Sequence, residues 1–155
     1  MAIETRDLRR VELFESLVPE HLKLILGITR EEQHPPSAVL FRDGDVADRL
    51  YFVVKGKVRV SKEIPGVGEE ALAVLEEGHY FGEMALIDHA PRSASAICNT
   101  SVVVGAIDRN AFEDLLFIHK DLAYDLLWTL LRTLSVRLRE TNEKMGAFLA
   151  MAGRF

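Results

Sequence analysis

Between Ala38 and Ile107 the chain falls into six short runs of strand-forming residues, none longer than seven residues. They are 38–42, 49–54, 57–62, 70–75, 93–98 and 101–107, and turn residues punctuate most of the gaps: Gly44, Gly56, Pro65-Gly66, Gly68 and Gly78. Strands this short and this closely spaced pair antiparallel with their sequence neighbours, and a run of them predicts a β-barrel or jelly roll. In Lys57-Val58-Arg59-Val60-Ser61-Lys62 the period of two is explicit, with valines turned inward and basic residues turned to water.

Helical periodicity brackets this block. Leu8, Val11, Leu13, Phe14, Leu17, Leu22, Leu24 and Ile25 recur at helical spacing, interrupted at Val18-Pro19-Glu20, where Pro suits the first turn of a new helix. After Asp108 a segment over 110–118 gives way near His119 to a long helix from about Asp121 to Phe148. The fold class predicted is α+β: an antiparallel β jelly-roll barrel (31–108) flanked by N-terminal helices (1–30) and C-terminal helices (109–155), read as one domain. A chain of 155 residues with 48% apolar content can bury one core of that size and is short for two.

Along the long helix Tyr124, Leu127, Leu131, Leu134, Leu138, Thr141, Met145 and Phe148 follow at alternating spacings of three and four, a heptad seam. It predicts a homodimer through a parallel coiled coil, against the plainer reading of a helix that packs only on its own barrel. Leu126, Trp128 and Leu130 widen the apolar face near the start, so that the first half is expected to do both. The helix carries five basic and four acidic residues between Lys120 and Met145, not the charge of a DNA-reading helix.

A net charge of −5 argues against a general nucleic-acid surface, which needs clustered Lys and Arg. No apolar run approaches the ~20 residues of a membrane span, and the charged N-terminus lacks a signal core, so no membrane partner and a cytoplasmic location are expected. The single cysteine, Cys98, lies in an apolar stretch and is read as a small buried hydrophobe. Arg9-Arg10 is read as part of a solvated helix face.

The chemistry is concentrated in residues 81–95, Phe-Gly-Glu-Met-Ala-Leu-Ile-Asp-His-Ala-Pro-Arg-Ser-Ala-Ser. Gly82 opens a helix-like turn, Glu83 follows, and Arg92 enters a strand nine residues later. Free N–H groups at a turn and a planar guanidinium both suit a small phosphate, and a glycine permits close approach to the backbone. A carboxylate in the same pocket would repel phosphate unless it accepts a sugar hydroxyl. Taken alone, a Glu and an Arg at this spacing also fit a surface ion pair.

The stretch closely resembles the phosphate-binding cassette of cyclic-nucleotide-binding domains, the family of bacterial catabolite activators and protein kinase A regulatory subunits. Phe81-Gly82-Glu83, Ala85-Leu86, Pro91-Arg92 and the Glu83 to Arg92 spacing carry the match. It extends through Leu13-Phe14, Leu17, Phe41-Arg42-Asp43-Gly44-Asp45 and the run from Leu50 to Val58. The resemblance implies Arg92 on the cyclic phosphate, Glu83 on the ribose 2′-hydroxyl, Gly82 as the close-approach glycine, and Met84, Ala85 and Ser93 as further ligand contacts. Cyclic AMP is favoured over cyclic GMP as the ligand, and no cofactor is implied.

Arg137-Leu138-Arg139-Glu140-Thr141-Asn142-Glu143-Lys144 resembles the central helix of the catabolite activators, which implies Thr141 and Asn142 at the base, one from each subunit. Alternatively Thr141 is merely tolerated in the seam and Asn142 is solvated. Ser37 stands where the family usually has Gly, which puts the shape of that turn in question. Residues 151–155 resemble the hinge before a helix-turn-helix domain, and a module without a DNA-binding domain is expected.

The expected role is a regulatory module that signals through the long helix to an effector protein, or else the regulatory half of a transcription factor. An enzyme is not expected. A cupin-like metal site built from His79, His89 and Glu83 is the remote alternative, and it lacks a His-x-His pair.

Overall fold

A computed structural model of the protein describes residues 2–153. Helices α1 (Thr5–Arg9) and α2 (Pro19–Gly27) precede strands β1 (Thr29–His34), β2 (Val39–Phe41), β3 (Arg49–Lys55), β4 (Val58–Ile64), β5 (Gly68–Leu75) and β6 (Tyr80–Phe81). A 3-10 turn (Glu83–Leu86) follows, then β7 (Ser95–Cys98), β8 (Val102–Asp108), α3 (Arg109–Ile118) and α4 (Lys120–Ala152). Pro19 is the first residue of α2, where its missing N–H costs no hydrogen bond.

The strands form two antiparallel sheets of four, ordered β1-β8-β3-β6 and β2-β7-β4-β5. No strand of one sheet is paired with a strand of the other among the described residues, so the expected barrel is not closed. Alternation along β3 builds both cores. Leu50 and Phe52 point to a helical layer with Leu8, Phe14, Leu22, Ile25, Phe112, Leu122, Leu126 and Leu130. Tyr51 and Val53 point the other way, between the sheets, with Val58, Phe81, Ala96, Cys98 and Val104. A strand buried on both faces reads as a continuous apolar run, as 50–54 does. Gly105 of β8 lets the Phe52 ring lie on the backbone, since a Cβ there would stand 2.1 Å from the ring.

Two strands escaped the sequence pattern. β1, Thr-Arg-Glu-Glu-Gln-His, contains no large apolar residue, and it is an edge strand held by backbone pairing to β8 and by ion pairs such as Arg30–Asp108. β6 is only two residues long and is recruited by β3. In β4 the predicted alternation holds for Val58, which is fully buried, until a bulge between Val60 and Ser61 turns Ser61 inward. Ser37 keeps a left-handed backbone (φ 71°), the only non-glycine among the described residues to do so, and its N–H donates to the Cys98 carbonyl at 2.7 Å. The turn therefore retains a glycine-like shape at a steric cost.

Helix α4 spans 33 residues, about 50 Å at 1.5 Å per residue. Leu122, Leu126 and Leu130 bury one stripe of its first half against the domain. The heptad seam lies beside that stripe, open: Tyr124, Leu127, Leu131, Leu138, Met145 and Phe148 are all more than half exposed. Beyond Ser135 every described residue of α4 is exposed. No helix among the described residues is long and apolar enough to cross a membrane. Of the hinge-like segment 151–155, Arg154 and Phe155 lie outside the described residues.

Candidate functional site

Gly82 adopts a left-handed conformation (φ 76°, ψ 14°) between β6 and the 3-10 turn. Any Cβ at that position would stand 2.6 Å from the Arg92 Nη1. The close approach made through Gly82 is thus that of Arg92 itself, whose Nη1 donates to the Gly82 carbonyl (3.2 Å) and Nη2 to the Arg49 carbonyl (2.7 Å). The main chain of Arg92 exchanges hydrogen bonds with the turn 42–45: Gly44 N–H donates to the Arg92 carbonyl and Arg92 N–H to the Asp45 carbonyl, both at 2.8 Å. Asp43 N–H donates to Ser95 Oγ at 2.9 Å, and Lys62 Nζ donates to the Ser93 carbonyl at 3.1 Å. The run Phe41–Asp45 is therefore a clamp on the arm that carries Arg92.

Behind the guanidinium lies an aromatic floor. Phe41 sits 4.1 Å beneath it in a cation–π contact, and Tyr51 and Phe81 stack at 5.2 Å. Arg92 is 6% exposed, and no carboxylate among the described residues forms an ion pair with it. Its Nε is buried without a hydrogen-bond partner. Burial pulls the guanidinium below its usual pKa, with Tyr51, Asp48 and Asp45 opposing, and arginine stays charged at neutral pH all the same. A buried cation held by carbonyl dipoles and an aromatic face, with no carboxylate partner among the described residues, retains a desolvation cost that an incoming anion would offset.

Glu83, also 6% exposed, is not paired with Arg92. Its Oε1 accepts a hydrogen bond from Nη1 of Arg137 on α4, a partner that is 43% exposed. Arg137 also stands over the Tyr80 ring at 5.5 Å. Sequence reasoning quoted Arg137 as part of a helix motif and gave it no role. The available signal was its place one helical turn before Thr141, which puts both on one face.

These groups line a cleft of about 630 Å³, within the range of small-molecule sites. Val60, Leu72, Ala73 and Leu75 of β4 and β5 make an aliphatic wall; Gly82, Glu83, Arg92 and Ser93 make the polar end, with Met84 alongside. Arg137 and Thr141 close it from α4. The Thr141 hydroxyl donates back to the Arg137 carbonyl at 2.8 Å. Asn142 is exposed and is not part of the cleft wall of a single chain. Ala85 belongs to the 3-10 turn, and its side chain is outside the described set. His79 Nδ1 accepts from Glu76 N–H, and its Nε2 faces Glu12 at 3.8 Å. Among the described residues no three His, Cys, Asp or Glu side chains form a metal-binding group, so the cupin-like set does not assemble.

Comparison with known proteins agrees with this architecture. The model of the cyclic nucleotide-binding domain matches residues 31–119, and the chain belongs to that family. It is 35% identical over 130 residues to the cyclic AMP receptor protein of Thermus thermophilus, covering 84% of this chain and 58% of that protein. Among solved structures it resembles the N-terminal domain of a transcriptional regulator from Streptomyces coelicolor (TM-score 0.76, 33% identity, 90% of this chain and 94% of the other). It also resembles the regulatory domain of Toxoplasma gondii PKA in co-crystal with cAMP (TM-score 0.66, 32% identity, 72% and 42% covered). The chain spans about three-fifths of the length of the curated bacterial regulators it matches.

Proposed function

We propose that the cleft binds cyclic AMP and that the protein is a regulatory module, not an enzyme. The observation that carries this reading is Arg92: a buried guanidinium at the cleft wall, held by two carbonyls and lacking a carboxylate. The cyclic phosphate supplies the missing negative charge, with the Ser93 hydroxyl and the N–H groups of the turn at Met84 and Ala85 as further donors. Glu83 accepts the ribose 2′-hydroxyl, and the base lies along the aliphatic wall toward Thr141.

Signalling follows from the second arginine. Glu83 already holds Arg137, so a ribose hydroxyl on Glu83 must share or displace a contact that belongs to α4. A ligand shifts a conformational equilibrium only through different affinities for its states, and this contact supplies such a difference. The exposed seam of α4 is proposed to join two copies in a parallel coiled coil, and Asn142 then faces the partner's cleft. The likeness to the N-terminal domain of a transcriptional regulator from Streptomyces coelicolor makes the regulatory half of such a protein the second form of the same role.

The test is displacement of a fluorescent cyclic AMP analogue by cyclic AMP, cyclic GMP and linear AMP. Cyclic AMP is expected to compete best and linear AMP least. Equal competition by linear AMP would remove the cyclic phosphate from the account. Sedimentation of the wild type and of Leu131→Glu/Leu138→Glu tests the dimer, which the variant is expected to lose.

A further inference from the structure

Away from the nucleotide cleft, α1 and α2 enclose a second depression of about 360 Å³. Arg6, Arg9, Arg10 and Lys23 line it above Pro19 and Leu22, and no carboxylate is part of its wall. On a chain of net charge −5, four cations converging without a lining acid is the reverse of the average surface. Two of them are already tied: Arg6 pairs with Glu4 at 3.0 Å, and Arg9 Nη1 donates to the Leu17 carbonyl at 3.4 Å. Arg10 and Lys23 are exposed and have no ion-pair or side-chain hydrogen-bond partner among the described residues. Arg9 and Arg10 are thus solvated, as their sequence implied, yet they are gathered with a cation from another helix.

We infer that this groove is a docking site for a short acidic segment of a partner protein. Charge complementarity selects the sign of the occupant. Its shape follows from the spread of the charges, since Arg6, Arg9 and Arg10 lie on α1 and its C-cap while Lys23 stands opposite on α2. Separate carboxylates along an extended segment meet such a layout better than one compact anion. A nucleic-acid duplex would bring its phosphates against the acidic remainder of the surface, beyond the reach of these four groups. Pro19 and Leu22 offer an apolar contact between the charges. The groove shares no lining residue with the nucleotide cleft, so its failure would leave that cleft untouched.

The probe is an N-terminally labelled hexaglutamate peptide, followed by fluorescence anisotropy at roughly 20 mM salt, where screening is weak. Binding in the sub-millimolar range is expected. Arg10→Glu/Lys23→Glu should lower that affinity about tenfold or more, because like charges would face the peptide. Arg139→Glu/Lys144→Glu makes the same change in net charge on α4, outside the groove's lining, and should lower peptide affinity several-fold less than the groove variant does. An unchanged thermal melt and an unchanged cyclic AMP titration show that the groove variant is folded. No peptide binding by the wild type, or equal losses in the two variants, would overturn the proposal. So would groove-dependent binding of a single-stranded oligonucleotide or of phosphatidylserine vesicles in place of the peptide.

Discussion

The two ends of the nucleotide cleft are built in opposite ways. At the end proposed for the phosphate, Arg92 is buried, fixed by two backbone carbonyls and backed by Phe41, and the turn 42–45 clamps its main chain. At the end proposed for the ribose the partner of Glu83 is Arg137, a half-exposed side chain on a stretch of helix beyond which no described residue is buried. One arginine is held by the domain, and the other stands on the exposed part of α4. A site that only had to hold its ligand would gain by fixing both ends, because preorganisation reduces the cost of binding. Leaving one end on α4 would tie occupancy of the cleft to the position of a helix about 50 Å long, as the proposed sensor role requires.

Four substitutions break or sharpen this contrast. Glu83→Ala removes both the proposed ribose acceptor and the anchor of Arg137 and should act most strongly of the four, lowering cyclic AMP affinity roughly 10- to 100-fold, the value of a hydrogen bond to a charged group; calorimetry reads it. Gly82→Ala puts a Cβ into the Arg92 guanidinium from a left-handed backbone. It should cost ~1–2 kcal/mol of stability in denaturant unfolding, together with a several-fold loss of affinity. Arg137→Ala removes a pair whose cation is half in water, worth ~0.2–1 kcal/mol, so affinity should change less than about fivefold. Nucleotide-dependent hydrogen exchange along α4 should disappear in that variant. A large affinity loss with exchange intact would reverse the roles assigned to the two arginines. Smallest is Ser37→Gly, which relieves a left-handed serine remote from the cleft. It should raise stability by up to ~1 kcal/mol and leave nucleotide affinity unchanged.

That Gly82, Glu83 and Arg92 share one cleft was legible in the sequence, because one short segment supplies all three and the backbone geometry between them is local. The helical layer was legible in part: the period of α2 marks its buried face, and Leu126 and Leu130 were seen beside the seam of α4, whereas Leu122 was not singled out and Trp128, grouped with them, is 46% exposed. What stayed hidden depends on contacts across the chain. The strand β1 is polar because an edge strand needs only a backbone partner. Arg137 meets Glu83 across 54 positions of sequence, and a solvated arginine on a helix carries no mark of where it reaches. The turn 42–45 was visible as a resemblance, while its work as a clamp on Arg92 required the fold. Ser37 was visible as a departure, and the structure shows the turn absorbing it without changing shape.

The account rests on Arg92 meeting a phosphate, and the most direct test is calorimetric titration of cyclic AMP into nucleotide-stripped protein beside the Arg92→Ala variant. Micromolar or tighter binding by the wild type is expected, with the variant weaker by ~2–5 kcal/mol and therefore at least tenfold. No heat with the wild type, or equal affinity in the variant, would contradict the assignment of the cleft.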